Sequence, residues 1–508
     1  MTTKGTLIGA SQTYWSTIRW DKIEKFVYQL QMRIAKAVRD KHLGKAKALQ
    51  WILTHSLYAK LLAVRKVMSS KGAKTAGIDG KLYKTNAEKL QLAKSLNQRG
   101  YKAMPLRRVY IPKSNGKKRP LGIPTLYDRA MQELYLLALE PISEMQADHN
   151  SYGFRPKRST ADVVEQAFKV LSHKSSATWV LEGDIKACFD NISHDWLLNN
   201  ILIDKRMLTQ WLKAGFIEKQ VLFPTTEGTP QGGVISPVLA NLALDGLEQA
   251  LKKIRYSRPN KIHLIRYADD FIISGATKEV LEIDVKPVVV DFLRERGLSL
   301  SEEKTTITHI DKGFDFLGFN IRKYGQKLIT KPSKEAAKTF LKRAKTLIKK
   351  RKTVEAYRLI GELNPKIRGW AYYYRHIVAK EVFNYVDDCI YRCIAKWARR
   401  RHNNKNISWI SNKYFHKKGF SNWVFFGTYI NSNGDKKEDN LMKARNIPII
   451  RHVKIRKYAR LYDPAFKDYF AKRKQDKKDK LYRYLQISRL NLLGMIAYDP
   501  SATAQLCR

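Results

Sequence analysis

The sequence predicts an α+β fold built on an antiparallel sheet and followed by a helical region. Three observations carry this. Between about residues 105 and 325, short β-rich runs alternate with helical ones. On either side, over residues 14–70 and 330–400, apolar residues recur at helical spacing. Two hairpins can be read directly, one at "RRVYIPKSNGKKRPLGIP" and one at "HLIRYADDFIISG".

In chain order, Trp15, Ile18, Ile23, Phe26, Val27 and Leu30 define a first helical face, and Leu49, Ile52, Leu53, Leu57 and Leu61 a second. "GIDG", Gly77 to Gly80, breaks the pattern as a turn. The first hairpin follows, with Asn115-Gly116 in its loop. "WVLEGDIKACFDNI" reads as a strand ending near Asp184, "HLIRYADDFIISG" as two strands folded back at Asp269 and Asp270, and "FDFLGFNIRK" as one short strand. In "KEAAKTFLKRAKTLIKKRK", Ala337, Phe340, Leu341, Ala344, Leu347 and Ile348 share one helical face, while Lys334, Lys338, Lys342, Lys345 and Lys349 cover another. The Asn, Gly and Ser clusters of residues 404–440 read as a loop-rich linker. Residues 451–490 hold 14 Lys/Arg against 4 Asp/Glu, interleaved with tyrosines and phenylalanines.

Composition narrows the function. Lys and Arg number 96 against 46 Asp and Glu, a formal net charge of +50. Self-repulsion on that scale points to a polyanionic partner, nucleic acid before an anionic membrane surface. No run of about 18 apolar residues is present, so a membrane span is not expected. Nor does "MTTKGTLIGASQTYW" carry the apolar centre of a signal peptide. The cysteines Cys188, Cys389, Cys393 and Cys507 form no CxxC pair, which argues against a zinc site; Cys389 and Cys393, one helical turn apart, read as packing residues. Few cysteines and no targeting segment fit the cytoplasm.

The chemistry gathers at strand ends. Asp269 and Asp270 interrupt an apolar run in which only Arg266 offers a nearby counter-charge, and ionised carboxylates are rarely buried without a partner. A tight turn at the pair can bring Asp269 toward Asp184. Carboxylates brought together repel, and a divalent cation relieves the repulsion. Mg²⁺ suits an all-oxygen site completed by substrate phosphates. Two such ions about 4 Å apart activate an attacking hydroxyl and stabilise a leaving group.

Tyr267-Ala268-Asp269-Asp270, in a hairpin that follows a strand ending at Asp184, resembles the active site of reverse transcriptases. Other blocks similar to that family follow its order: "RRVYIPKSNGKKRPLGIP", "SYGFRPKRST", "GDIKACFDNISH", "GTPQGGVISPVLANLALD", "GLSLSEEKTTITH" and "FDFLGF". "LNPKIRGWAYYYRH" looks like the maturase, or X, domain, so the chain more narrowly resembles the reverse transcriptase/maturases of bacterial group II introns. The resemblance implies a right-hand polymerase. Its parts would be a helical N-terminal extension over 1–85, fingers and palm over 86–325, a thumb/maturase domain over 326–440 and a basic DNA-binding region over 441–508.

The resemblance also implies roles. Asp184 and Asp269 would be the principal ligands of two Mg²⁺ ions, with Asp270 secondary and Ile185 lending its carbonyl. Phe189 would stack under the sugar of the incoming nucleotide and exclude a 2′-hydroxyl. Lys113 or Arg119 would pair with the triphosphate, and Gln231 would lie near the nucleotide. Arg155, Lys304, Lys338, Lys342, Lys345, Arg368 and Arg375 would meet RNA or DNA, with Trp370 in the core. Expected partners are group II intron RNA, a DNA target and primer, and deoxynucleoside triphosphates. The implied activity is RNA-directed DNA synthesis together with help to intron splicing. The alternatives are a splicing factor with a vestigial polymerase site, or a reverse transcriptase recruited to phage defence or CRISPR adaptation. Family members often end in an HNH endonuclease. No His follows His452 and Cys507 stands alone, so target-strand cleavage is not expected of this chain and its primer would come from elsewhere, such as a nascent strand at a replication fork.

Overall fold

The computed structural model describes residues 15–492 apart from 113–115, 117 and 420, with side chains described as far as residue 479. It comprises two compact units. Of the described residues, one contains 15–163, 177–307 and 455–472; the other contains 164–176, 308–454 and 473–492.

In the first unit the helices Trp20–Arg39, Leu43–His55 and Leu57–Ser69 share one apolar core with the helix Leu126–Gln146. Ile23, Val27, Leu30 and Ile34 form the buried stripe of the first of these. Gln31 Nε2 crosses to the Leu137 carbonyl at 2.8 Å. The expected division at residue 85 is therefore not a boundary between compact units.

Strands β1 (Leu106–Pro112) and β2 (Lys118–Ile123) form the expected hairpin, with Val109 opposite Leu121. A second sheet contains β3 (Trp179–Asp184), and the first is completed by β4 (Phe216–Glu218) and β5 (Val221–Phe223), in the order β2-β1-β4-β5. Leu106 pairs with Phe216 in parallel, one departure from an antiparallel design. The second sheet joins β3 to β6 (His263–Tyr267), β7 (Asp270–Gly275) and β8 (Thr306–His309) in the order β6-β7-β3-β8. Both faces of this sheet's centre are apolar: Val180, Leu181, Leu264, Ile265, Phe271, Ile272 and Ile273 are all buried.

In the second unit "FDFLGFNIRK" is two strands rather than one. β9 (Phe314–Phe316) and β10 (Phe319–Tyr324) are antiparallel, because Leu317 and Gly318 take positive φ of 53° and 79° and reverse the chain. With β11 (Lys327–Pro332) they make a three-stranded sheet. Phe319 is sealed against Tyr373 and Tyr374. This packing explains why the main stretch of the second unit starts at 308 rather than at the expected 326.

Helices Lys334–Lys350, Ala356–Tyr374 and Lys380–Arg401 follow. Leu341, Ala344 and Ile348 pack with Leu363, Ile367, Phe383 and Val386, and Cys389 and Cys393 lie partly buried against this core. The stretch expected to be a loop-rich linker is folded. A helix, Ile407–Tyr414, leads into β12 (Phe415–Lys418), β13 (Ser421–Ile430) and β14 (Lys436–Asn440). The Asn/Ser/Gly cluster is only its hairpin turn, closed by Asn431 Oδ1 accepting from the backbone N–H groups of Asn433 and Asp435 at 3.0 and 2.8 Å. Phe415 and Phe425 supply the burial that a linker would lack.

The expected single region 441–508 is divided, since 455–472 belongs to the first unit. Tyr462 hydroxyl bonds Glu140, Arg158 Nη2 donates to the Ala459 carbonyl at 3.0 Å, and the Ile455 N–H meets Asp162 at 2.8 Å.

Candidate active site

The register of the second sheet builds the site. Asp184 ends β3 and stands directly opposite Asp270, the first residue of β7, which in turn stands opposite Tyr267 at the end of β6. Directly opposed residues of an antiparallel pair present side chains to one face, with Cβ atoms about 4.5–5.5 Å apart. Ala268 and Asp269 form the two-residue turn, with Ala268 at φ +58°. The aspartates thus fold back as the sequence predicts. Asp270, the member given the secondary role, is the direct cross-strand neighbour of Asp184.

Arg266 does not neutralise this pair, although it is the nearest cation in sequence. Its side chain is 0% exposed and is paired with Asp245, itself 4% exposed. Nη1 reaches Asn241 Oδ1 and the Ala268 carbonyl, both at 3.2 Å. The guanidinium therefore holds the turn from behind while its charge is spent on Asp245. Asn241 Nδ2 continues the scaffold to the Gly153 carbonyl at 2.8 Å. Gly153 lies so near the turn that an added Cβ would stand 2.3 Å from the Ala268 nitrogen. Asp245, Asn241 and Gly153 carried no local signal in the sequence, because their roles depend on elements brought together only by folding.

Among the described residues the cation that pairs with Asp184 is Lys304, whose Nζ lies 2.6 Å from Asp184 Oδ2. It was expected on nucleic acid. Its ammonium is held up in pKa mainly by that hydrogen bond. Asp269 is raised above the usual carboxylate range, first by desolvation and then by Asp184, with Arg119 and Lys304 opposing. Asp270 is pushed up to about 6 by desolvation, then by Asp269 and Asp184. Its side chain still reaches solvent, so it occupies a crowded cleft rather than a sealed interior. The charge of Arg119, exposed on β2, extends to both aspartates.

Ile185 is buried and bridges to Leu300, so only its backbone is available to the site. Phe189 lies half-buried on a one-turn helix, Cys188–Asn191, edge-on to the exposed ring of Phe154 at 6.3 Å. The Gln231 carbonyl accepts from the Gly122 N–H of β2 at 2.8 Å. Lys113 lies outside the described residues, as does Cys507.

Arg155 is a correction. Expected on nucleic acid, it is buried: Nε and Nη2 bond Glu144 at 2.6 and 3.1 Å, and Nη1 bonds the Asp148 and Ser151 carbonyls at 2.8 and 2.9 Å. Four of its five donors are engaged inside the protein and the side chain is buried, so it is closed to a phosphate. In the second unit Lys338, Lys342, Lys345 and Arg368 are exposed. Arg375 stacks over Tyr372 at 4.7 Å, and Trp370 packs on Phe340 at 4.8 Å.

Among the described residues no group of three or more His, Cys, Asp or Glu side chains is arranged to hold a metal ion. The donor set at the strand ends nevertheless suits Mg²⁺, which binds through one or two carboxylates and leaves its other positions to water and phosphate. All the donors are oxygens, and the two shifted carboxyls are short of positive charge.

Residues 111–321 match the family "Reverse transcriptase (RNA-dependent DNA polymerase)", 15–96 the "N-terminal domain of reverse transcriptase" and 337–415 the "Group II intron, maturase-specific domain". Protein YkfC of Escherichia coli is 35% identical over 364 residues, covering 62% of this chain and 94% of that protein. Group II intron-encoded protein LtrA of Lactococcus lactis is 34% identical over 341 residues, 54% of this chain and 56% of LtrA. A 91 kDa protein in the cob intron of Schizosaccharomyces pombe is 30% identical over 429 residues, 66% of this chain and 52% of that protein. The match therefore spans nearly all of YkfC but little more than half of the other two.

Proposed function

This chain belongs to the family of group II intron-encoded reverse transcriptase/maturases, and from that premise we propose that it extends a DNA primer along an RNA template and binds its own intron RNA to assist splicing. The observation that carries the polymerase half is the register that sets Asp184 opposite Asp270 with Asp269 in the adjoining turn.

Asp184 and Asp269 would hold two Mg²⁺ ions, with Asp270 and the Ile185 carbonyl at the margin. When bound, the metal supplies activation of the primer 3′-hydroxyl and neutralisation of the leaving pyrophosphate. The protein's own side chains position the reactants. Arg119 or Lys113 receives the triphosphate of a deoxynucleoside triphosphate. Phe189 lies beneath the sugar, and Gln231 borders the nucleotide. Lys304 balances the carboxylates when no other cation is near. The turn is held from behind by Arg266 and Asn241, so the carboxylates meet substrate without rearranging.

The maturase half rests on the second unit. The exposed lysines of helix Lys334–Lys350, with Arg368 and Arg375, form a basic surface for RNA phosphates and stacked bases. Binding only the folded intron stabilises it by mass action. No described helix is long and apolar enough to cross a membrane, and we place the protein in the cytoplasm with its RNA and DNA partners.

The test is primer extension and intron splicing on one preparation, with and without Asp269→Ala. The expected outcome is a loss of cDNA synthesis of at least about a hundredfold with splicing unchanged. An equal fall in splicing would show that the two activities are not separable.

A further inference from the structure

The loop from Gly228 to Gln231 is tied at both ends. Thr229 N–H donates to the Phe189 carbonyl at 2.6 Å and Gly228 N–H to the Ile192 carbonyl at 2.8 Å, while the Gln231 carbonyl accepts from Gly122 of β2 at 2.8 Å. The approach is so close that a Cβ on Gly228, at φ +83°, would stand 2.5 Å from the Asp190 carbonyl oxygen and 2.6 Å from that of Phe189. Four residues thus join the turn that carries Phe189 to the strand that carries Arg119.

One side chain fastens the near end of this loop. His194 is 7% exposed, and its Nε2 lies 2.7 Å from the Gly228 carbonyl oxygen. Burial, the largest influence, lowers the ring's pKa, so the ring is neutral near pH 7. A carbonyl only accepts, so the proton is assigned to Nε2. The backbone entering His194 is itself fixed: Ser193 N–H donates to the Arg296 carbonyl at 2.9 Å, and the Ser193 hydroxyl accepts from Trp196 N–H at 3.2 Å.

We propose that His194 is a positioning residue for sugar discrimination: by holding Gly228 it fixes the loop that holds the Phe189 backbone, and so sets the height of the Phe189 ring against the nucleotide sugar. This rests on the reading of Phe189 as the ring beneath the sugar. His194 touches no substrate. Its effect passes through the Gly228 carbonyl and the Thr229–Phe189 hydrogen bond.

The test is primer extension on poly(rA)/oligo(dT) with dTTP and with UTP, comparing the ratio of their kcat/KM values. A merely structural defect lowers the active fraction and scales both values alike, leaving the ratio unmoved. His194→Phe removes the donor at similar bulk, and His194→Asn removes it because the amide is too short to reach Gly228. Each is expected to lower the dTTP/UTP ratio about tenfold, the scale of one lost hydrogen bond. His194→Gln, whose amide nitrogen reaches the place of Nε2, is expected to restore most of it. Circular dichroism melts check folding; if the Phe variant does not fold, the Asn and Gln variants decide. An unchanged ratio in folded His194→Asn, or no restoration by Gln, would overturn the proposal. Phe189→Val separates the premises. If it leaves the ratio at the wild-type value, the reading of Phe189 fails; if it lowers the ratio while His194→Asn does not, only the positioning role fails.

Discussion

Replacing Arg266 by methionine keeps the stem of the side chain and removes the buried positive charge behind the turn at Ala268 and Asp269. The loss can be sized from its contacts. The guanidinium is 0% exposed and bonds Asp245, Asn241 Oδ1 and the Ala268 carbonyl. The methionine variant leaves Asp245 buried without its cation, beside Asp148, whose carboxyl is already pushed up to about 6 by desolvation and by Asp245. Breaking a buried pair from one side costs about 3–5 kcal/mol, most of it the desolvated charge left behind. Native-state hydrogen exchange of the amides of β6 and β7 reads this sheet without relying on a single unfolding transition for a two-unit chain. Their protection should fall by about 3–5 kcal/mol. The double variant Arg266→Met, Asp245→Leu should regain at least about 1 kcal/mol, because the orphaned charge is gone. A single-variant loss below about 1 kcal/mol would refute the reasoning. It would mean that water or another cation compensates Asp245 and that the turn is held by something other than Arg266.

Two further outcomes follow from the same geometry. Gly153→Ala places a Cβ 2.3 Å from the Ala268 nitrogen, a clash with backbone that cannot swing aside. Primer extension should fall by more than about tenfold, with overpacking of about 1–3 kcal/mol acting on the turn, while intron RNA affinity measured by filter binding stays at wild type. Lys338→Ala, Lys342→Ala and Lys345→Ala together should weaken RNA binding and flatten the plot of log affinity against log salt by about 2–3 units of slope, at about 0.7–0.9 for each phosphate that is no longer neutralised. An unchanged slope would mean that these exposed lysines are only solvated.

What the sequence made legible follows a physical divide. The hairpins, the strand ending at Asp184 and the lysine-covered helix were readable because their signals are local: alternation, turn residues and helical spacing within a dozen positions. The folding of 404–440 was hidden because its turn residues were conspicuous while its burial depends on Phe415 and Phe425 meeting a core built elsewhere. "FDFLGFNIRK" was misread for a related reason. Apolar residues continue through Leu317, and only the positive φ of Leu317 and Gly318 separates the two strands. Arg155 failed in the opposite way. In a chain of net charge +50 an arginine beside Lys157 and Arg158 reads as surface, and nothing nearby announces Glu144, eleven residues earlier on another element. The candidate site was legible as a set of carboxylates but not as a structure, since the residues that brace Arg266 and the turn come from two other segments, Asn241 with Asp245 and Gly153.

The two kinds of acidic residue in the first unit sharpen the case for the site. Glu144 and Asp245 are sealed in the interior, and each has an arginine within hydrogen-bonding reach that is itself buried. Their charges are closed off, as the fold requires of any carboxylate it encloses. Asp269 and Asp270 are treated differently by the same chain. They sit a few residues from Arg266, yet that cation is assigned to Asp245, and among the described residues the positive groups that act on them, Arg119 and Lys304, stand on solvent-reaching side chains. A protein with 96 basic residues had ample means to neutralise two aspartates from within. Keeping them crowded together, short of charge and open to solvent costs stability, and such an arrangement is more often found where carboxylates serve a ligand than where they serve the fold.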